Sequence, residues 1–89
     1  MFYTYVLMSK KNGTLYVGST NDVKRRFEEH NKGIGGEYTR KNRPFIIIFY
    51  EAFLSKNDAQ RQELFYKLGY GKEVLHEKIK DSLKMCLVV

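Results

Sequence analysis

Apolar residues gather in a block at 2 to 8, a shorter block at 15 to 18 and an unbroken run, Phe45-Ile46-Ile47-Ile48-Phe49-Tyr50. The first two are rich in aromatic and β-branched types and flank Ser9-Lys10-Lys11-Asn12-Gly13-Thr14, whose Asn-Gly step is a strong hairpin signal. They predict strand, turn, strand. With Asn12-Gly13 at the centre of the turn, Leu7 faces Gly18, Ser9 faces Tyr16 and Tyr5 faces Thr20. Alternation then puts Tyr5, Leu7, Tyr16 and Gly18 on one face, a placement that an odd-length loop without a compensating bulge would undo. The run at 45 to 50, bounded by Pro44 and Glu51, reads as a strand covered on both faces and as the centre of the core.

Helical spacing fills the gaps. Thr20 or Asn21 caps a helix that runs to about Lys32, with Asp22 in its first turn and Gly33 placed to end it. Val23, Arg26, Phe27 and His30 fall at i, i+3, i+4 and i+7, so Arg26 and His30 face the protein body, and Lys24, Arg25, Glu28 and Glu29 take the other sides. An arginine on a packed face needs a partner, as a salt-bridged structural group or a functional one. Ser55-Lys56-Asn57-Asp58 starts a helix that runs to Leu68, where Gly69 breaks it. On it Ala59, Glu63, Tyr66 and Tyr70 share a stripe, and Leu64 and Leu68 mark a more conventional packing stripe. A last helix from about Lys72 to Lys84 turns Leu75, Ile79, Leu83 and Cys86 inward. Gly33-Ile34-Gly35-Gly36 reads as a mobile surface loop, because it does not follow a strand and open a helix as a nucleotide-binding loop would. The fold class is α/β in the α+β sense: a small, mainly antiparallel three-stranded sheet flanked by helices, in the order β-β-α-β-α-α.

Composition narrows the setting. The chain has 89 residues, 43% hydrophobic and 15% aromatic, enough for one modest core in a single domain over 1–89. One cysteine, Cys86, excludes an internal disulfide and a cysteine-rich zinc site and fits a reducing intracellular compartment, cytoplasmic or nuclear. The N-terminal apolar block lacks a basic start and a small-residue cleavage site, so it reads as a strand and not a signal peptide, and no segment approaches membrane-spanning length. The net charge is +6, and residues 10 to 43 hold nine basic against four acidic groups, so nearly all of the excess lies there. A nucleic acid is the expected partner ahead of a membrane surface. Lys24, Arg25, Lys32, Tyr38, Arg40, Lys41 and Arg43 are the expected contacts, the last four within a segment that interleaves one aromatic with three cations.

Tyr3-Thr4-Tyr5 and Tyr16-Val17-Gly18 either side of the turn, Arg26 ten residues after Tyr16, His30 four after Arg26, Glu63 on the later helix, and Glu37-Tyr38-Thr39-Arg40 followed by Arg43-Pro44 form one pattern. This pattern resembles the GIY-YIG nuclease domain, small single-domain branch, over about residues 3 to 70. The first motif lacks its leading glycine and isoleucine, and Ser19 stands where some branches carry a lysine. The resemblance implies a divalent-metal-dependent endonuclease acting on DNA, with RNA left open and repair or recombination as its setting. It implies Glu63 as ligand of one Mg²⁺ or Mn²⁺ and Arg26 on the scissile phosphate. Tyr5 is placed first as the water-activating phenol, with Tyr16 positioning water or phosphate and His30 hydrogen-bonded to one of them, although the tyrosines are interchangeable at this level. Weak sequence preference is expected, with branched or single-stranded structure or a separate targeting protein supplying selectivity. A non-catalytic nucleic-acid or protein-binding module on the same fold is the alternative.

Overall fold

Strand β1 (Phe2–Ser9) has neighbours on both sides in a computed structural model that describes residues 1–87. Val88 and Val89, the end of the expected 1–89 domain, lie outside the described residues. Strand β2 (Leu15–Thr20) pairs with one edge of β1 and β3 (Phe45–Phe53) with the other, both antiparallel, in the order β2-β1-β3. The centre of the core is therefore β1, where Thr4 through Ser9 are all buried. The longest apolar run was expected there, but it forms edge strand β3, on which Ile47 and Tyr50 are exposed. Between Val6 and Leu7 the β1–β3 register shifts by one residue, since Val6 faces Phe49 and Leu7 faces Ile47. Ile48 and Phe49, adjacent in sequence, consequently both pack against the core cluster that holds Val6.

The hairpin register differs by two residues from the expected one. Tyr5 faces Gly18 and Leu7 faces Tyr16, because Ser9 and Thr14 close a loop of Lys10 to Gly13. Gly13, at φ 77°, ends that loop, and the Asn12 side chain accepts from the Thr14 N–H at 3.1 Å. A shift of two preserves alternation. Tyr5, Leu7, Tyr16 and Gly18 therefore share a face as expected.

Helices cover both faces. Over Tyr5, Leu7 and Phe45 lie Val23 and Phe27 of α1 (Val23–Lys32), whose His30 is buried, as is Thr39 of α2 (Glu37–Asn42). The opposite face packs Val6 and Val17 against Tyr66 of α3 (Lys56–Lys67), Leu75 of α4 (Gly69–Lys78) and Ile79. Full burial of an aliphatic side chain of this size contributes about 2 kcal/mol. The α1 cap is Asp22 and not Thr20 or Asn21: its carboxylate accepts the Arg25 N–H at 3.0 Å, one residue beyond the later of the two candidates. Gly33 ends α1 in the left-handed region, as expected.

Two more helices appear than the spacing suggested. The glycine-dense segment opens α2, with Gly36 as N-cap, and the expected C-terminal helix is split at Ile79 into α4 and α5 (Lys80–Leu87). The order is thus β-β-α-α-β-α-α-α. Ser55 caps α3 as expected, but Leu64 and Leu68 are 63% and 73% exposed. The helix instead meets the sheet through Ala59, whose carbonyl accepts the Thr4 hydroxyl at 2.7 Å, and through Tyr66. A small residue over a polar strand position permits this close approach, and it turns the leucines outward. No helix among the described residues is long and apolar enough to cross a membrane.

Candidate active site

Gly18 determines where the first phenol lies. The Tyr5 ring crosses directly over it, and a Cβ at that position would overlap the phenol. The space over Gly18 is filled by Tyr5 itself. Tyr5 is 2% exposed, and its hydroxyl lies 2.9 Å from Nε2 of the fully buried His30. On the other side of that ring, Nδ1 lies 2.8 Å from the Thr39 hydroxyl. Gly35 backs onto the same ring so closely that a side chain there would overlap it.

Arg26 has its partners. One terminal nitrogen donates to Glu29 Oε1 at 3.0 Å and the other to the Gly35 carbonyl at 2.9 Å, with the side chain 31% exposed. Further N–H groups of the fork remain for an anion. Burial works against the charge of Arg26, but Glu29, Tyr5 and Tyr16 outweigh it and hold its pKa above the ordinary value. Burial, then the Tyr16 phenol, drives the Tyr5 pKa far above the ordinary phenol range against the opposing pull of Arg26. Burial and the Arg26 charge lower His30 to about 4. Near neutral pH this part of the site therefore holds a neutral phenol, a neutral imidazole and one cation.

Tyr16 is half-buried, its ring 4.9 Å from that of His30 and stacked at 5.9 Å on Tyr38. Among the described residues its hydroxyl has no hydrogen-bond partner, unlike that of Tyr5. Glu63 comes from the other face of the sheet. Its carboxylate accepts from the Ser19 hydroxyl at 2.7 Å and from Lys67 Nζ at 2.6 Å, and its charge is felt at Tyr5, where it helps raise the phenol pKa. Because β2 is an edge strand, groups from both faces meet around it. Ser19, Thr20, Arg26 and Gln60 line one cleft of about 420 Å³ at its end.

No group of three or more His, Cys, Asp or Glu suited to a metal occurs among the described residues, so Glu63 would hold an ion with at most one further such side chain. One carboxylate fits an ion that keeps most of its water and takes further oxygens from a phosphate. Ser19 and Lys67 use one acceptor position on each Glu63 oxygen, so the carboxylate keeps further lone pairs for an ion, against which the Lys67 charge would act.

The expected polyanion contacts are all at the surface, but they are not equally free. Arg40 donates twice to Glu37 at 2.9 Å and Lys41 lies 3.5 Å from it, so the two cations share one carboxylate, its own pKa lowered mainly by Arg40. Arg25 is held by Thr20, Asn21 and Glu29, and Arg43 lies against Gly33. Lys24 and Lys32 form no ion pair among the described residues, but Lys24 lines a separate cleft with Tyr3, Ile47 and Tyr50. Tyr38 is 45% exposed and donates to Thr14 at 3.0 Å. Thr39, Gly35 and Lys67 were given no role from the sequence, and Ser19 was noted only as standing in place of a lysine. The contacts of Thr39, Gly35 and Ser19 are made between elements, where no local spacing announces them, whereas Lys67 is the i+4 neighbour of Glu63 on α3 and was within reach of helical spacing.

The family model described as the GIY-YIG catalytic domain matches residues 1–78, a span that contains every site residue above. A UPF0213 protein of Streptococcus agalactiae is 49% identical over 65 residues, 73% of each chain. The UPF0213 protein YazA of Bacillus subtilis is 40% identical over 88 residues, 98% of this chain and 88% of that one. The solution NMR structure of a UPF0213 protein from Bacillus halodurans, 39% identical, superposes with a TM-score of 0.52 over 90% of this chain and 86% of that one. Sheet order, the two tyrosine motifs and these matches agree, and the chain belongs to the GIY-YIG domain family, alongside the small UPF0213 proteins.

Proposed function

We propose that the protein is an endonuclease that hydrolyses phosphodiester bonds, with DNA as substrate and one divalent ion, Mg²⁺ or Mn²⁺, as cofactor. The observation that carries this reading is the Tyr5 hydroxyl bonded to a buried, neutral His30 beside the Arg26 guanidinium. A free phenolate is not available, because burial holds the Tyr5 proton on. Tyr5 therefore takes a proton from water while passing its own to His30 Nε2, so that no isolated phenolate forms. The water oxygen bonds to phosphorus, the leaving oxygen departs with its electron pair and takes a proton from solvent, and His30 later returns its proton to solvent. Arg26 holds the phosphate oxygens by charge-assisted hydrogen bonds as negative charge builds on them. Tyr16, with its hydroxyl free, positions the water or the phosphate. Glu63 would hold the ion, which when bound relieves charge on the leaving oxygen.

Lys24, Lys32 and the arginines near the site supply attraction along the backbone, and Tyr38 offers a stacking face to a base. Contacts of this kind read backbone and shape more than sequence. The preferred substrates are accordingly branched or single-stranded structures such as repair and recombination produce, and the protein acts inside the cell, with or without a targeting partner.

Incubation with plasmid, hairpin and branched DNA plus Mg²⁺ or Mn²⁺, alongside Glu63→Ala and Arg26→Ala, tests the reading. Cleavage by the wild type that both substitutions abolish is expected, and cleavage undiminished by either contradicts it. The Ser19 and Lys67 hold on Glu63 favours one second reading, a module that binds without cutting. That reading is supported if DNA binds in a salt-sensitive manner but stays intact with every metal and substrate.

A further inference from the structure

His30 lies between two hydroxyls, and a neutral imidazole carries one proton, so the two ring nitrogens must play opposite parts. We infer that Thr39 is a positioning residue that keeps this proton on Nδ1, leaving Nε2 bare to receive the proton of Tyr5. The inference rests on the nuclease reading for its catalytic consequence, but its structural content stands apart from that reading.

Both ends of the chain of hydrogen bonds give the same direction. The Thr39 hydroxyl lies 2.8 Å from His30 Nδ1 and 3.3 Å from the Gly36 carbonyl. A carbonyl only accepts, so the single Thr39 proton goes to Gly36 and its oxygen accepts the Nδ1 proton. At the far end, the Tyr5 hydroxyl lies 2.9 Å from His30 Nε2, and its other polar neighbour, the Arg26 guanidinium, can only donate to the phenol oxygen. The phenol proton therefore points at Nε2. The opposite tautomer would turn that proton toward Arg26.

This explains the local architecture between α1 and β3. Gly35 lets the chain press against the imidazole, Gly36 takes φ 136° and presents its carbonyl, and one turn of α2 returns Thr39 over that carbonyl. Thr39 is buried with no large apolar surface to contribute, and its hydroxyl is spent on orienting the ring.

The test is a long-range proton–nitrogen correlation spectrum of the full chain with ¹⁵N-labelled histidine at neutral pH, with His76→Gln assigning the two rings. Wild-type His30 is expected to show a protonated Nδ1 and a bare Nε2. Thr39→Val, which keeps the shape and removes the hydroxyl, should move His30 toward the Nε2-protonated or a mixed form, and Thr39→Ser should restore the wild-type pattern. On branched DNA with Mg²⁺, Thr39→Val should lower kcat by about 10- to 100-fold with KM little changed, and Thr39→Ser should recover most of it. A protonated Nε2 in the wild type, or an unchanged His30 spectrum in Thr39→Val, overturns the inference. If Thr39→Val does not fold, the wild-type tautomer alone still decides. If wild type never cleaves while the tautomers behave as stated, the nuclease reading fails and the positioning role stands.

Discussion

Tyr5 and Tyr66 are both buried phenols whose pKa is raised chiefly by burial, and they occupy opposite faces of one sheet. Tyr66 donates to Glu51 at 2.6 Å and accepts from Gln62 at 2.8 Å and Lys78 at 2.9 Å, while Lys78 and Glu51 pair at 3.1 Å. There every charge is answered within the group, and β3, α3 and α4 are tied together. Tyr5 instead faces a neutral base, beside a guanidinium with donors to spare. A raised phenol pKa marks both. What separates the two clusters is spare donor capacity: Arg26 pairs with Glu29 but keeps further N–H groups, and of the two only the cluster beside β2 can offer such groups to an incoming anion.

The largest way to break this contrast is to remove the guanidinium. Arg26→Ala should lower DNA cleavage by about 10³-fold or more, and Arg26→Lys should recover only part, because a point charge does not reproduce the fork. Rates on one branched substrate measure this. If Arg26→Ala cut as fast as the wild type, the two clusters would be alike in function.

Acid separates the two faces by stability. His30 titrates near 6.5 when unfolded and at about 4 when folded, so between these values the unfolded chain takes up a proton that the native site refuses. The contribution of neutral His30 is full above about 6.5 and falls as pH drops toward about 4, by about 3 kcal/mol in all. Glu51 behaves differently. Burial raises its pKa, but Tyr66, Gln62 and Lys78 outweigh that and leave it below the ordinary carboxylate value. Its contribution is present above pH 4.5 and is lost only as pH falls through the lowered value. Urea unfolding at stepped pH should show loss beginning near 6.5, and His30→Gln should flatten that part of the curve while leaving the loss at lower pH.

Much of this arrangement is legible in the sequence, for identifiable reasons. The shared face of Tyr5 and Tyr16 depends on alternation, and the two-residue register error leaves alternation intact. Arg26 and His30 are placed by helical spacing over a stretch long enough to show it. Other features are set by contacts between elements. The length of the run at 45 to 50 says nothing about which strand takes the middle of the sheet. A six-residue helix begun by glycines, α2, is too short to display a period. Leu64 and Leu68 misled because α3 meets the sheet through Ala59, where Thr4 supplies a hydrogen bond. Thr39 looks like any surface threonine until α2 folds it over His30.

Smaller effects sharpen the comparison. Tyr66→Phe should cost about 1 to 2 kcal/mol of stability, with DNA cleavage within about twofold of the wild type. Smallest of all, Leu68→Ser at the exposed junction between α3 and α4 should change stability by less than about 0.5 kcal/mol, which a urea midpoint would show.

The most direct measurement compares Tyr5→Phe with Tyr66→Phe on one branched DNA with saturating Mg²⁺ at neutral pH, following single-turnover cleavage. Tyr5→Phe is expected to be about 10³-fold slower with unchanged DNA affinity, and Tyr66→Phe close to the wild type. Equal rates for Tyr5→Phe and the wild type, with both folded, would contradict the account.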